Sequence, residues 1–399
     1  MTRFRLVAIL MVLGLAAPLA GSAQEAPGWF KVPGTDTQIK FNGFAEASWA
    51  YNFLGQTFPT GKGEVYSNTP AIALDNNPLK QQAPNYFGAE VFYSRFGFNT
   101  KTPSSAGEIG VRIEGDFNSG SPLQLAGTSF THKGGFRVRH AYGTVGDWLL
   151  LGQTWSTFAD LGTFPDQQDE NPTYNLAAIR APMVRVSFPA GPVKVSLAAE
   201  DPYFNSLATK KFQYPDFVAR IDVPTSMAAF SIRGVTKQFK TAEPGSVSKQ
   251  GFGGAVGAAI KVGGDTLVLD AEGGTGLGAY QYGTVTGNTN EDVVQIKGGD
   301  LKLFTSVGAS AGYTHVWSPQ FRSNVIGAGV WFKDDPDVRS VTTGADANQR
   351  MLMGILNTYW TFAKNAWVGA EFWYNYRKTF DGVLGHETRI LLTSHFDFM

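Results

Sequence analysis

The chain has 399 residues, with 33 basic and 33 acidic side chains and no cysteine. Zero net charge removes the basic excess that phosphate neutralisation needs, which excludes nucleic acid as a partner. No disulfide can staple the fold, while 47 glycines and 30 phenylalanines favour many tight turns and strands closed by their own hydrogen bonds.

The first 23 residues have the layout of a secretory signal. Arg3 and Arg5 are the positive start, an apolar run follows, and Gly21-Ser22-Ala23 offers small residues for cleavage. The run is too short for the roughly 20 residues of a spanning helix. We expect residues 1–23 to be removed, leaving 31 basic and 33 acidic residues. A short periplasmic segment over 24–37 would then lead into a barrel over 38–399.

From Ile39 onward the apolar residues alternate with period two, and helical period is almost absent. Ile39, Phe41, Ala45, Ala47, Trp49 and Tyr51 share one face of the first segment, opposite Lys40, Asn42, Glu46, Ser48 and Asn52. The same division recurs through sixteen segments: 38–53, 85–100, 107–118, 135–146, 147–156, 178–188, 192–200, 215–224, 226–238, 250–262, 265–275, 300–317, 320–333, 350–363, 366–379 and 386–398. Short turns alternate with long polar loops, the longest near 54–84, 119–134, 157–177 and 276–299. Aromatics gather at segment ends, as at Trp49, Trp317, Trp360 and Phe396. Lipid on one strand face forbids an unpaired edge, so these features together predict an all-β, 16-stranded antiparallel transmembrane barrel. A soluble β-domain would have no reason to keep the loop asymmetry.

Sixteen strands enclose water rather than a packed core, so function depends on what narrows the lumen. The stretch 136–185 is the candidate. Arg137 and Arg139 alternate with Phe136 and Val138, and Arg112 alternates with Val111 and Ile113. Arg180 and Arg185 are five apart, which places them on opposite faces unless a bulge at Pro182 restores both to the lumen. Between these strands, loop 157–177 has acids Asp160, Asp166, Asp169 and Glu170, with Phe158, Leu161 and Phe164 to dock it on a wall. We therefore expect an inward-folded constriction loop facing pore-lining Arg112, Arg137, Arg139, Arg180 and Arg185. Arginine suits this task because it stays charged and grips carboxylates bidentately. Internal pairing with Glu114 and Asp116 would stiffen the same wall. Arg220, Arg233, Lys237 and Arg377 are less specific candidates for the lumen.

Enzymatic signals are weak. The five histidines are scattered, with no H-E-x-x-H and no cysteine partners, so we expect no catalytic residues, cofactor or metal. Gly251-Phe252-Gly253-Gly254 precedes no helix and reads as a crowded strand. Asp334, Asp335 and Asp337 lack a full calcium pattern and read as a solvated loop.

Several motifs, in order, resemble the DcaP-like outer-membrane porins of Gram-negative bacteria: 30–37 (FKVPGTDT), 94–103 (SRFGFNTKTP), 137–142 (RVRHAY), 152–160 (GQTWSTFAD) and the pair Arg180 and Arg185. The resemblance implies a trimeric diffusion channel preferring small organic anions, dicarboxylates especially, with an arginine eyelet mapping onto the five arginines above. Its partners would be membrane lipid and lipopolysaccharide. The expected function is passive diffusion of small hydrophilic anions across the outer membrane. A sealed barrel with a structural or surface-binding role is the alternative, and would conduct nothing.

Overall fold

In the computed structural model, residues 28–54, 72–76, 85–119, 135–202, 210–242, 244–282, 291–342 and 347–398 are described. The expected signal peptide, residues 1–23, lies outside them, as does most of the expected loop 119–134.

The alternating segments pair side by side until the last meets the first, closing a barrel of 16 antiparallel strands. The first eight are β1 (Gln38–Leu54), β2 (Tyr86–Glu90 and Arg95–Thr102), β3 (Ile109–Ser119), β4 (Gly135–Val145), β5 (Leu149–Trp155), β6 (Arg180–Ala190), β7 (Val193–Glu200) and β8 (Asp216–Pro224). The others are β9 (Ala228–Lys240), β10 (Ser248–Val262), β11 (Asp265–Thr275), β12 (Thr305–Ser318), β13 (Phe321–Phe332), β14 (Asn348–Ala363), β15 (Ala366–Thr379) and β16 (Leu384–Asp397). Closure runs from Phe44↔Asp397 to Leu54↔Thr388. Because every strand has two neighbours, no edge is left for lipid to solvate. Among the described residues no helix is long and apolar enough to cross a membrane, so strands make the crossing.

The two faces follow the sequence alternation. Val111, Ile113, Phe136, Val138, Val184 and Leu356 are exposed on the outside, where lipid covers them. At the short-turn end Phe321 stacks on Trp360 with centroids 6.2 Å apart, and Phe362 meets Trp360 at 5.6 Å and Phe396 at 6.1 Å. Such a belt seats at a headgroup layer.

The segment expected at 85–100 is interrupted between Glu90 and Arg95, and two further stretches depart from the expectation. The segment expected at 300–317 divides into a hairpin arm, Leu301–Leu303, which pairs with Val293–Gln295, and β12 beyond Phe304. Phe304 turns inward onto Phe332 and Phe380, and burying it breaks the strand. The acidic run at 334–337 leads into a helix, Pro336–Thr342, whose buried Val338 joins an apolar cluster with Met351 and Trp373 inside the outer end of β13–β15. Its acids are used in ion pairs: Asp334 with Arg339, and Asp335 and Asp337 with Lys302.

Candidate functional site in the barrel lumen

Residues 156–179 run around the inside of the barrel. Asp160 accepts from Arg220 Nη2 on β8 at 3.0 Å and from Ser231 on β9. Thr163 donates to Asp270 on β11 at 2.9 Å. Asp166 pairs with Arg322 on β13 at 2.5 Å, and its carbonyl accepts from Asn357 on β14 at 2.9 Å. The backbone N–H groups of Gln168 and Asp169 donate to Glu371 on β15 at 2.7 and 3.0 Å, and Asp169 pairs with Arg389 on β16. Glu170 completes the circuit on Arg95 of β2 at 2.9 Å. Each of the four loop acids predicted from the sequence is thus a docking group with its own wall arginine.

The wall under this loop is built from small residues. Gly257, Gly308 and Gly312 face inward on β10 and β12, and an added Cβ would come within 2.8 Å of Asp160 Oδ2, 2.7 Å of Asn175 Cβ and 2.8 Å of Pro165 Cβ respectively. Glycine here permits close approach of a second layer of backbone. Phe158 is fully buried and meets Tyr280 of the next long loop edge to face, with centroids 5.4 Å apart. Burial works against ionising Asp160, but Arg220, the Ser231 hydroxyl and Arg233 outweigh it and hold that carboxyl below its usual range.

The opposite wall, on β2–β7, is basic. Arg137 grips Asp116 bidentately, Nε at 2.9 Å and Nη2 at 2.6 Å, and Arg139 Nη1 reaches the same carboxylate at 2.8 Å. Arg112 bonds Glu114 at 2.6 Å, while Arg95 and Arg139 lie 3.7 and 3.5 Å from it. Four arginines therefore share two wall carboxylates, with Glu170 as a third from the loop. Register explains how Arg139 joins them: Glu114 pairs with His140 and Gly115 with Val138, so Arg139 is the extra residue of a bulge. Both Arg139 and His140 then point inward.

No bulge occurs at Pro182, which pairs in register with Gln153 in an unbroken ladder from Leu149↔Val186 to Trp155↔Arg180. Arg185 faces inward by parity, as Met183 and Ser187 do. Arg180 reaches the interior differently. It opens β6, and its guanidinium lies 3.5 Å from the centroid of the Trp155 ring. Arg185 Nη2 bonds the Trp155 carbonyl at 2.7 Å and its Nε bonds Thr157 Oγ1 at 2.8 Å. Among the described residues neither Arg180 nor Arg185 has a carboxylate within ion-pair distance, and Arg180 Nε has no hydrogen-bond partner.

Among the described residues, cavities lie between loop and wall. One of about 300 Å³ is lined by Arg185, Lys194, Arg220, Asp222 and the loop around Asp160. The other, of about 230 Å³, is lined by Arg95, Arg139, Phe164, Pro165, Gln167 and Glu170. Trp155 lines both.

Arg95, Arg322, Arg389 and Trp155 were not singled out from the sequence. Arg389 alternates with Ile390 and Leu392, so the parity test applied to Arg137 would have found it. Arg233 pairs with Asp270 and Lys237 lies 3.6 Å from Asp216, which makes both wall braces. Among the described residues no cluster of histidine and carboxylate side chains could hold a metal.

The closed barrel with a polar, loop-filled interior has the architecture of an outer-membrane porin. Residues 26–201, which include the basic wall and the whole infolded loop, match the DcaP outer membrane protein family, and the resemblance carried by the sequence motifs is that of this match. The fold is accordingly that of a Gram-negative outer-membrane β-barrel of the porin class. No curated protein sequence matches it. Among solved structures it is similar to the outer membrane channel DcaP of Acinetobacter baumannii, with a TM-score of 0.78 at 23% identity over 92% of this chain and 99% of that one. The anion-selective porin from Comamonas acidovorans superposes with a TM-score of 0.57 at 12% identity, covering 91% and 100% of the two chains. OmpT of Vibrio cholerae in its trimer form gives 0.54 at 10% identity, covering 91% and 99%. At these identities the structural likeness speaks for the fold.

Proposed function

We propose that this chain is a passive diffusion channel for small hydrophilic solutes that prefers organic anions, dicarboxylates in particular, and works as a trimer. The observation that carries the preference is a pair of guanidiniums without carboxylate partners at Trp155: Arg180 stacked on its ring, and Arg185 bonded to its carbonyl and lining the larger cavity. A carboxylate entering past Arg95 and Arg139 would exchange hydration water for charge-assisted hydrogen bonds. Because both free arginines engage one residue, a solute with two separated carboxylates can address both in turn. The loop acids do not repel it, since each is already committed to a wall arginine. Attraction of this kind must be strong enough to admit the ion and weak enough to release it. The Comamonas porin named above as anion-selective, and the trimeric form of OmpT, support the sign and the assembly by analogy.

Purified protein in a planar bilayer under a salt gradient tests this. Anion selectivity that falls in the Arg180→Gln/Arg185→Gln variant is the expected result. Cation selectivity in the unmodified protein would remove the anion claim while leaving a channel. Absence of conductance would favour the sealed barrel, a reading supported by the packing of Tyr280 over Phe158 inside the lumen.

A further inference from the structure

On the outside of the barrel, at the long-loop end, adjacent strands present cations to the lipid. Arg350 opens β14 and Lys378 lies near the end of β15, and the two are direct partners in the ladder. Both share the outward parity of Leu352, Leu356, Phe372 and Tyr374, whereas Met351 and Arg377 are buried inside. Lys333 is exposed just beyond β13, two residues after Trp331, which pairs with Arg350.

Like charges directly opposite one another weaken a strand pair, so this arrangement costs stability unless an anion lies between them. Among the described residues no carboxylate lies within ion-pair distance of Arg350, Lys378 or Lys333. The nearby acids are engaged elsewhere, Asp334 with Arg339 and Asp335 and Asp337 with Lys302. Instead Arg350 is held in place by a neutral neighbour. Its Nη2 donates to the Tyr376 hydroxyl at 3.0 Å, its guanidinium lies 5.3 Å from that ring, and its Nε has no partner.

Height decides which part of the bilayer this patch meets. From Trp360 in the belt at the short-turn end, β14 runs ten residues back to Arg350. That is about 33 Å of strand, or about 25 Å of height at a tilt near 40°, which is the thickness of the apolar band of such barrels. Arg350 and Lys378 therefore stand at the outer headgroup layer, with Trp331, Tyr374 and Tyr376 as interfacial aromatics beside them.

We propose that Arg350, Lys378 and Lys333 form a site for the phosphorylated disaccharide headgroup of the outer-leaflet lipopolysaccharide, whose acyl chains lie along Leu352, Leu356 and Phe372. The site is outside the lumen and is independent of conduction.

Native mass spectrometry of the full-length, detergent-folded protein can test it with bis-phosphorylated lipid A, fully dephosphorylated lipid A and phosphatidylglycerol. We expect the bis-phosphorylated form to bind about tenfold more tightly than the dephosphorylated one, the scale of cation–headgroup attraction. The Arg350→Gln/Lys378→Gln variant should erase that preference and keep its bilayer conductance. If this variant does not fold, Lys333→Gln/Lys378→Gln serves the same purpose. Equal binding of the phosphate-free lipid, or a preference that survives in the folded variant, would overturn the site. So would equal binding of phosphatidylglycerol, or displacement of lipid A by millimolar inorganic phosphate.

Discussion

Arg180 and Arg185 differ from Arg112, Arg137 and Arg139 in having, among the described residues, no carboxylate within ion-pair distance. Arg112, Arg137 and Arg139 are tied to Glu114 and Asp116, so their fields are partly spent on the wall itself. Replacing Arg185 by glutamine should therefore lower anion selectivity more than replacing Arg112, a comparison that reversal potentials resolve directly. Trp155 offers a second handle at this scale. Because it lines both cavities, Trp155→Ala should join them and raise single-channel conductance, while also removing the ring on which Arg180 rests. The buried pair Asp169–Arg389 has a structural role instead. Both side chains are fully buried, and Asp169→Asn would leave the Arg389 charge undercompensated, at a cost of about 3–5 kcal/mol. Loss of heat resistance on a gel, with the barrel still forming, would report it.

At the scale of elements, the infolded loop depends on the glycines beneath it. Gly312→Val would push on Pro165, and overpacking of this kind costs about 1–3 kcal/mol. The expected outcome is a barrel of ordinary content whose loop 156–179 becomes open to protease. The next long loop has its own anchor: Glu291 Oε1 accepts from the Asn348 backbone N–H at 2.8 Å and from its side chain at 3.0 Å. Burial pushes this carboxyl up to about 8. A raised acid contributes its full stabilisation only below the unfolded value near 4.3, and loses it as pH rises toward 8. Hydrogen exchange at Asn348 should accordingly quicken between pH 5 and pH 8 beyond the intrinsic rate, and Glu291→Gln should flatten that dependence. How far such elements can be read from sequence depends on range. Period-two alternation is local, so it could mark β3 and β4 and group Arg112, Arg137 and Arg139 on the polar strand faces. The destinations of Asp160, Asp166, Asp169 and Glu170 are not local. Their partners Arg220, Arg322, Arg389 and Arg95 come from strands spread around the whole barrel, and only closure brings them within reach. Arg180 escaped parity altogether because stacking on Trp155 at a strand end, and not the pleat, sets its direction.

For the whole molecule, closure divides the interior into two unlike halves. The glycine-rich wall of β10–β12 is covered by the loop, whereas on the wall from β2 to β7 Arg95, Arg139 and Arg185 face the described cavities. On the proposed function, a chain with balanced total charge would present a locally positive lumen, and the formal neutrality of the sequence says nothing of the field a solute meets. That lumen field is the central claim of the account. The most direct test is the zero-current potential of the full-length protein in a planar bilayer under a tenfold potassium chloride gradient, repeated with dicarboxylate salts. A positive lumen gives a potential of the sign set by chloride permeation, and chloride current blocked by added dicarboxylate, with both effects reduced in Arg180→Gln/Arg185→Gln. A potential of the opposite sign, or one that the double variant leaves unchanged, would contradict it.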